Sequence, residues 1–150
     1  MLKNRLGVEA IEEKWNFPKK IRKYYKIPST LIIPKECREI GVFAGCELKE
    51  VVIPEGIKRI GDHAFRNCKK LKKVVIPESV KIIEPEAFAW CYSLEKVVIP
   101  GGVKEIMRDA FRECRKAEIT LYNSSTKLNV GDGAFWNCKS RRYVEKETRS

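Results

Sequence analysis

The chain is 150 residues long, 43% hydrophobic, and carries a formal net charge of +11 at pH 7. That length and apolar content suit a single domain with its own core, and no stretch approaches the ~18 apolar residues of a membrane helix. The positive charge bears on anionic partners and leaves the fold open.

Residues 1–26, MLKNRLGVEAIEEKWNFPKKIRKYYK, carry eight Lys/Arg against three Glu. Charges interrupt them throughout, so no signal-peptide core is present, and with Met1 as the start the chain is expected in the cytoplasm. Ala10, Ile11 and Trp15 are spaced as on an amphipathic helix, which predicts a helical cap over the first coil of whatever follows. The run PKKIRKYYK sets Lys19, Lys20, Arg22, Lys23 and Lys26 around Tyr24 and Tyr25. Basic residues interleaved with aromatics can grip phosphates and stack on bases; the alternative is a solvated cap whose tyrosines cover the first coil.

From residue 27 to 138 the chain repeats itself. Phe43, Phe65, Phe88, Phe111 and Phe135 are each followed three residues later by a cysteine: Cys46, Cys68, Cys91, Cys114 and Cys138. The cysteines are separated by 22, 23, 23 and 24 residues. Such a period is the mark of a solenoid, in which each unit buries its apolar side only against its neighbours. Two successive units read LKKVVIPESVKIIEPEAFAWC and LEKVVIPGGVKEIMRDAFREC. The L-x-x-V-x-I-P portion alternates apolar and variable residues and ends in proline, so it reads as a short strand. Leu48, Leu71 and Leu94 form one inward column. Val51, Val74 and Val97 form a second, and Ile53, Ile76 and Ile99 a third. Pro28, Leu31 and Ile33 fill these columns in the first unit. Ile40, Ile60, Ile83, Ile106 and Val130 form another column, as do Cys37, Ile57, Val80 and Val103. The segments AFRNC, AFAWC, AFREC and AFWNC suit one helical turn or a tight bend, with the Phe filling the core.

The unit L-x-x-V-x-I-P-x-x-V-x-x-I-x-x-x-A-F-x-x-C resembles the BspA-type class of leucine-rich repeat. The resemblance implies an α/β solenoid: a right-handed leucine-rich-repeat stack of about five units with a parallel sheet on one face. It also implies a binding role rather than catalysis. Many members of that class are long, secreted or surface-attached adhesins, whereas this chain is expected to stand alone inside the cell. The division is then a basic helical cap over 1–26, the solenoid over 27–138 and a charged C-terminal cap or tail over 139–150. In that tail, RRYVEK is expected to place Arg141 and Lys146 where earlier units have Leu and Ile, which would stop further stacking.

Candidate sites follow from the register. Alternation turns Ile32, Val52, Val75 and Val98 outward, beside Thr30, Glu50, Lys73 and Lys96. A solvent-facing row of β-branched residues can meet a partner or a second copy of the chain, although such residues also simply favour strands. Arg38, Lys58, Lys81 and Lys104 form a basic column just beyond the strands, interleaved with Glu55, Glu78 and Glu105. Arg141, Arg142 and Tyr143 echo the basic-aromatic pattern of the N-terminus. No two cysteines are closer than Cys37 and Cys46, so metal-binding pairs are absent and buried thiols are expected. His63 is the only histidine; its column continues as Glu86, Asp109 and Gly133, an exposed position with no catalytic set around it. Glu84, Glu86, Asp109 and Glu113 read as ordinary solvated acids. No catalytic, cofactor or metal residue is assigned.

The functional expectation is a non-enzymatic protein-interaction module, an adaptor or inhibitor, that binds a protein with an acidic surface through the strand face. The second expectation is binding to nucleic acid or a nucleoprotein through the basic ends, and the third is self-association into a homo-oligomer.

Overall fold

The computed structural model describes residues 30–33, 39–40, 43–122 and 127–145. The strand segments form as their alternation requires: β1 (Thr30–Ile32), β3 (Glu50–Val52), β5 (Lys73–Val75), β7 (Lys96–Ile99), β9 (Glu118–Leu121) and β11 (Ser140–Tyr143) lie side by side in that order. All five pairings are parallel. Between them run β2 (Glu39–Ile40), β4 (Arg59–Ile60), β6 (Ile82–Ile83), β8 (Glu105–Ile106) and β10 (Asn129–Val130), which pair in parallel as a second sheet. The Ile40–Ile60–Ile83–Ile106–Val130 column lies in this second sheet, whereas the sequence pattern had suggested one sheet only.

Each corner has a local cause. Pro54, Pro77 and Pro100 follow the main strands and lack the N–H needed to continue a ladder. Beyond them, Ser79 Oγ accepts from Gly56 N–H at 3.0 Å and donates to the Ile57 carbonyl at 2.8 Å, stitching two coils together. In the next coil the Gly102 N–H donates to Glu78 Oε2 at 2.8 Å. A Cβ on Gly102 would stand 1.9 Å from the Glu78 carbonyl oxygen, so only glycine lets these coils approach.

The Ala-Phe-x-x-Cys segments take the tight-bend form. Alternate N–H groups close short turns within the coil: Ala64 to Gly61, Arg66 to His63 and Cys68 to Phe65, at 3.1, 3.1 and 3.2 Å. The others reach the next coil: His63 to Pro85, Phe65 to Ala87 and Asn67 to Ala89, at 3.1, 2.7 and 2.8 Å. An α-helix would bond every N–H within the segment; sending half of them sideways requires left-handed residues. His63, Glu86 and Asp109 have φ of 57°, 54° and 56°, with Gly133 next in that column at 65°. Asn67, Trp90, Glu113 and Asn137 lie between 59° and 64°, in line with Gly45 at 72°. Among the described residues the structure has no helix. The expected helical cap, and with it the α part of the α/β assignment, lies outside them.

The core is a set of columns, each one residue deep. Leu48, Leu71 and Leu94, the Val51–Val74–Val97 column and Ile57, Val80 and Val103 are all buried. Five phenylalanine rings stack through the centre, with centroids 5.6, 5.3, 5.0 and 5.7 Å apart and planes within 15° of parallel, in the range of offset stacking. Four cysteines donate their Sγ–H to the carbonyl of the phenylalanine one coil back: Cys68 to Phe43, Cys91 to Phe65, Cys114 to Phe88 and Cys138 to Phe111, at 3.1–3.3 Å. That bond explains the choice of Cys over Ala or Val. A small apolar residue is needed, and its weak donor meets a buried carbonyl.

The C-terminal register differs from the expected one. Arg141 pairs with Ile119 and so continues the Val51–Val74–Val97 column, while Tyr143 pairs with Leu121 in the Ile53–Ile76–Ile99 column. The path from turn to strand shortens in two steps: Val97 comes six residues after Cys91, Ile119 five after Cys114 and Arg141 three after Cys138.

Candidate functional site

The outward side of the larger sheet presents two columns. One runs Glu50, Lys73, Lys96, Glu118, Ser140, and the other Val52, Val75, Val98, Thr120, Arg142, with the backbone of Thr30 and Ile32 in register with Glu50 and Val52. Val52, Val75 and Val98 are 37%, 42% and 48% exposed, among the few large apolar side chains left in solvent. Neighbouring strands are about 4.8 Å apart, so the three make a continuous apolar strip. The strip stops at Thr120, which is buried and accepts a hydrogen bond from Arg142 Nε at 3.1 Å. In the adjacent column Lys73 pairs with Glu50 at 3.0 Å and Lys139 with Glu118 at 2.6 Å. Lys96 stands between them with no ion pair among the described residues. Lys139 and, more weakly, Lys96 and Arg142 hold the Glu118 carboxyl below its ordinary value.

The basic column is present as Lys58, Lys81 and Lys104, all exposed and linked by backbone bonds from Lys81 N–H to Lys58 and from Lys104 N–H to Lys81, both 2.8 Å. Arg38 and the basic-aromatic group Lys19, Lys20, Arg22, Lys23, Tyr24, Tyr25 and Lys26 lie outside the described residues. Arg141 and Arg142 share β11 but turn to opposite sides, so they do not form one cation pair: Arg142 reaches Thr120, and Arg141 stacks over the rings of Phe135 at 5.3 Å and Tyr143 at 5.8 Å.

A further basic margin was not expected. The turn from each cysteine into the sheet carries exposed Lys69, Lys70, Lys72, Arg115, Lys116 and Lys139. Among the described residues, only Lys70, Arg115 and Lys139 of these have carboxylate partners, Glu47, Glu113 and Glu118. The solenoid is close to neutral in sum, so composition hid the separation. Aligning the residues that follow each cysteine shows it.

The opposite corner holds charges that are less solvated than the sequence implied. Glu84, Glu86, Asp109 and Glu113 keep only 14–19% of their side-chain surface. Glu84 pairs with Arg59 and accepts from Asp62 N–H at 2.7 Å. His63 is half-buried rather than free, with Nδ1 2.8 Å from Asp62 and Nε2 3.5 Å from Glu86. Arg66 Nε lies 3.1 Å from Glu86 Oε2, an ion pair off the line of a hydrogen bond. The Trp90 ring lies between the Arg66 and Arg112 guanidinium groups, 4.7 and 5.8 Å away. The left-handed backbone that places these residues side by side, coil after coil, is what ties up their charges.

No group of His, Cys, Asp or Glu among the described residues is gathered as metal ligands would be. Two thiols, Cys114 and Cys138, are held in their protonated form. Cys138 lowers the Cys114 pKa, but Cys91 and burial raise it further, leaving it well above the ordinary value. Cys114 and burial raise that of Cys138. No described helix is long and apolar enough to cross a membrane.

The repeat resembles known proteins over most of its length. The description "BspA type Leucine rich repeat region" matches residues 17–142 in six copies, where the sequence pattern gave about five units over 27–138. A leucine-rich repeat protein of T. pallidum is 28% identical over 71% of this chain and 53% of its own, with a TM-score of 0.66. A leucine-rich cell surface protein of Faecalibacterium prausnitzii is 27% identical over 82% of this chain and 35% of its own, at 0.66. A Bacteroides ovatus leucine-rich repeat protein is 34% identical over 71% and 28%, at 0.64. The chain thus spans about half or less of each of these proteins. A comparison with curated proteins finds no match. Leucine-rich repeats are in general protein-interaction scaffolds rather than enzymes. The column register, the phenylalanine stack and the six-copy match place this chain in the BspA-type leucine-rich repeat family.

Proposed function

We propose that the chain is a non-enzymatic interaction module, an adaptor or an inhibitor, that seats another protein on the outward face of the six-stranded sheet. The observation that carries this reading is the valine strip: Val52, Val75 and Val98 in one register column, each more than one-third exposed. A flat apolar strip supplies area for a partner's anchor residues. Glu50, Lys73 and Lys96 beside it set register and speed encounter, with the Lys58–Lys81–Lys104 column on one side and the cysteine-turn lysines on the other. That surround favours a partner with an acidic surface. Residues 1–26 and 139–150 serve as the caps of the stack.

The test is a pull-down from the native host with and without nuclease, followed by affinity measurements on the captured protein. Val75→Glu with Val98→Glu should abolish binding while the thermal melt stays unchanged, because both side chains already face solvent. Unchanged affinity would remove this face from consideration, and capture that depends on nucleic acid would support the basic ends instead.

A further inference from the structure

The margin of the six-stranded sheet is notched where the chain enters β9. Leu94 and Val97 have Glu95 and Lys96 between them, whereas Ala117 and Ile119 have Glu118 alone, and the alanine stands where earlier coils have leucine. At this shortened step lies a shallow cleft of about 440 Å³, lined by Glu95, Lys96, Arg115, Lys116, Glu118 and Lys139. It sits inside the stack, between the turns that lead into β7 and β11. Four cations face two acids there. Arg115 is held by Glu113 at 2.7 Å and Lys139 by Glu118 at 2.6 Å. Lys96 and Lys116, both exposed, make no ion pair among the described residues, which leaves the cleft with an excess of positive charge. Val98, at 48% the most exposed residue of the valine strip, stands two residues along β7 from Lys96 on the same face.

We propose that this cleft takes an acidic side chain of the protein seated on the strand face. The partner lays an apolar or aromatic side chain on Val98 and sets a carboxylate against Lys96 and Lys116. The site depends on the strand-face reading and gives that face the place and chemistry of one anchoring contact. Lys96 and Val98 are about 7 Å apart along the strand, so the two partner residues would be two positions apart in an extended segment. In the charged column Lys73 has its acid within the chain, Glu50, at 3.0 Å. Lys96, next in that column, is left for an acid from outside. A second copy of this face has no acid to spare for it, since Glu50 and Glu118 are already paired.

The test selects random seven-residue peptides displayed on phage against the full chain and measures an enriched synthetic peptide by fluorescence anisotropy. Enriched sequences should carry Asp or Glu two residues from an apolar or aromatic residue. Lys96→Glu with Lys116→Glu should weaken binding about tenfold while the thermal melt shows a folded chain, and Lys96→Gln with Lys116→Gln should give a smaller loss in the same direction. Replacing the peptide's acid by its amide should weaken binding to the unaltered chain but not to the Lys→Gln variant, because both changes remove the same pair. Lys58→Glu, in the other basic column, should have no such effect. Val75→Glu with Val98→Glu should also abolish peptide binding. If the valine variant loses the peptide while the lysine variants keep it, the cleft is not the acid site and the strand face stands. If the valine variant keeps the peptide, the strand-face reading fails and this site fails with it. Selection that enriches nothing, enriched peptides without an acid, a loss with Lys58→Glu equal to that of the cleft lysines, or a dimer in sedimentation that the valine variant disperses would each overturn the site.

Discussion

The coil that ends at Cys91 and the coil that ends at Cys138 are built from the same motif but have different surroundings. Phe88 is fully buried, with Phe65 at 5.3 Å and Phe111 at 5.0 Å on its two faces. Phe135 stacks on Phe111 at 5.7 Å and is only partly buried, with the Arg141 guanidinium 5.3 Å from its ring. Cys91 is buried and Cys138 partly exposed, although each donates to a carbonyl one coil back. In a stack of this kind the motif makes a coil fit, and the neighbour on each side makes it stable. The contrast predicts a gradient in both energy and dynamics along the axis.

The largest effect is expected at the phenylalanines. Phe88→Ala deletes a ring packed on both faces and should cost about 3–5 kcal/mol, the range for large-to-small changes in a closed core. Phe135→Ala deletes a half-covered ring, and a loss nearer 1–2 kcal/mol follows from the smaller area removed from water. Urea denaturation of the two variants measures both. Equal losses would mean that the stack is closed at residue 135.

A kinetic version of the same contrast uses the thiols. Iodoacetamide should modify Cys138 well before Cys91 and Cys114 under native conditions, because opening the last coil breaks contacts on one side only. Its reaction should still be slow next to that of an exposed cysteine, since the raised pKa keeps the thiolate scarce. Mass spectrometry of timed samples gives the order. Simultaneous labelling of all the cysteines would show that the coils open together and would reject the gradient.

The columns could be read directly because in a solenoid the same environment returns at every turn. Val74 and Val97 have the same neighbours, so a period in the sequence is a contact in the structure. The second sheet could not be read in this way. Two-residue strands such as Arg59–Ile60 show no alternation, and only the recurring isoleucine marked the place. The corners were hidden for a different reason. The left-handed backbone falls also at Glu86, Trp90 and Glu113, residues that carry no preference for it; the bonds to the next coil impose it, and those are known only once the coils are stacked. The buried charge clusters followed from that geometry. At the C-terminal end, the path from cysteine to strand loses one residue before Ile119 and two more before Arg141, which puts Arg141 in a core column that the spacing of the earlier units does not predict. The outward valines needed nothing but alternation, and the structure leaves them exposed.

The smallest effect is expected at the seam between the last two coils. The Glu113 carboxylate accepts from Arg115 Nε at 2.7 Å within its own coil and from Asn137 Nδ2 at 3.2 Å in the next. Those two hydrogen bonds, Arg115 first, hold its pKa below the ordinary 4.5. A carboxyl whose pKa is depressed by folding contributes stability above the unfolded value and loses it as pH falls through the folded one. The link to the last coil should therefore be complete at pH 6 and weaken only below 4.5, the ordinary value for this group. Carboxyl-carbon NMR should place the Glu113 midpoint below 4.5, and Asn137→Ala should move it part of the way back, with the larger share remaining with Arg115. A midpoint unchanged by that substitution would show that the carboxylate does not bridge the seam, leaving backbone bonds such as Glu113 N–H to the Trp136 carbonyl, at 2.8 Å, to hold the last coil there.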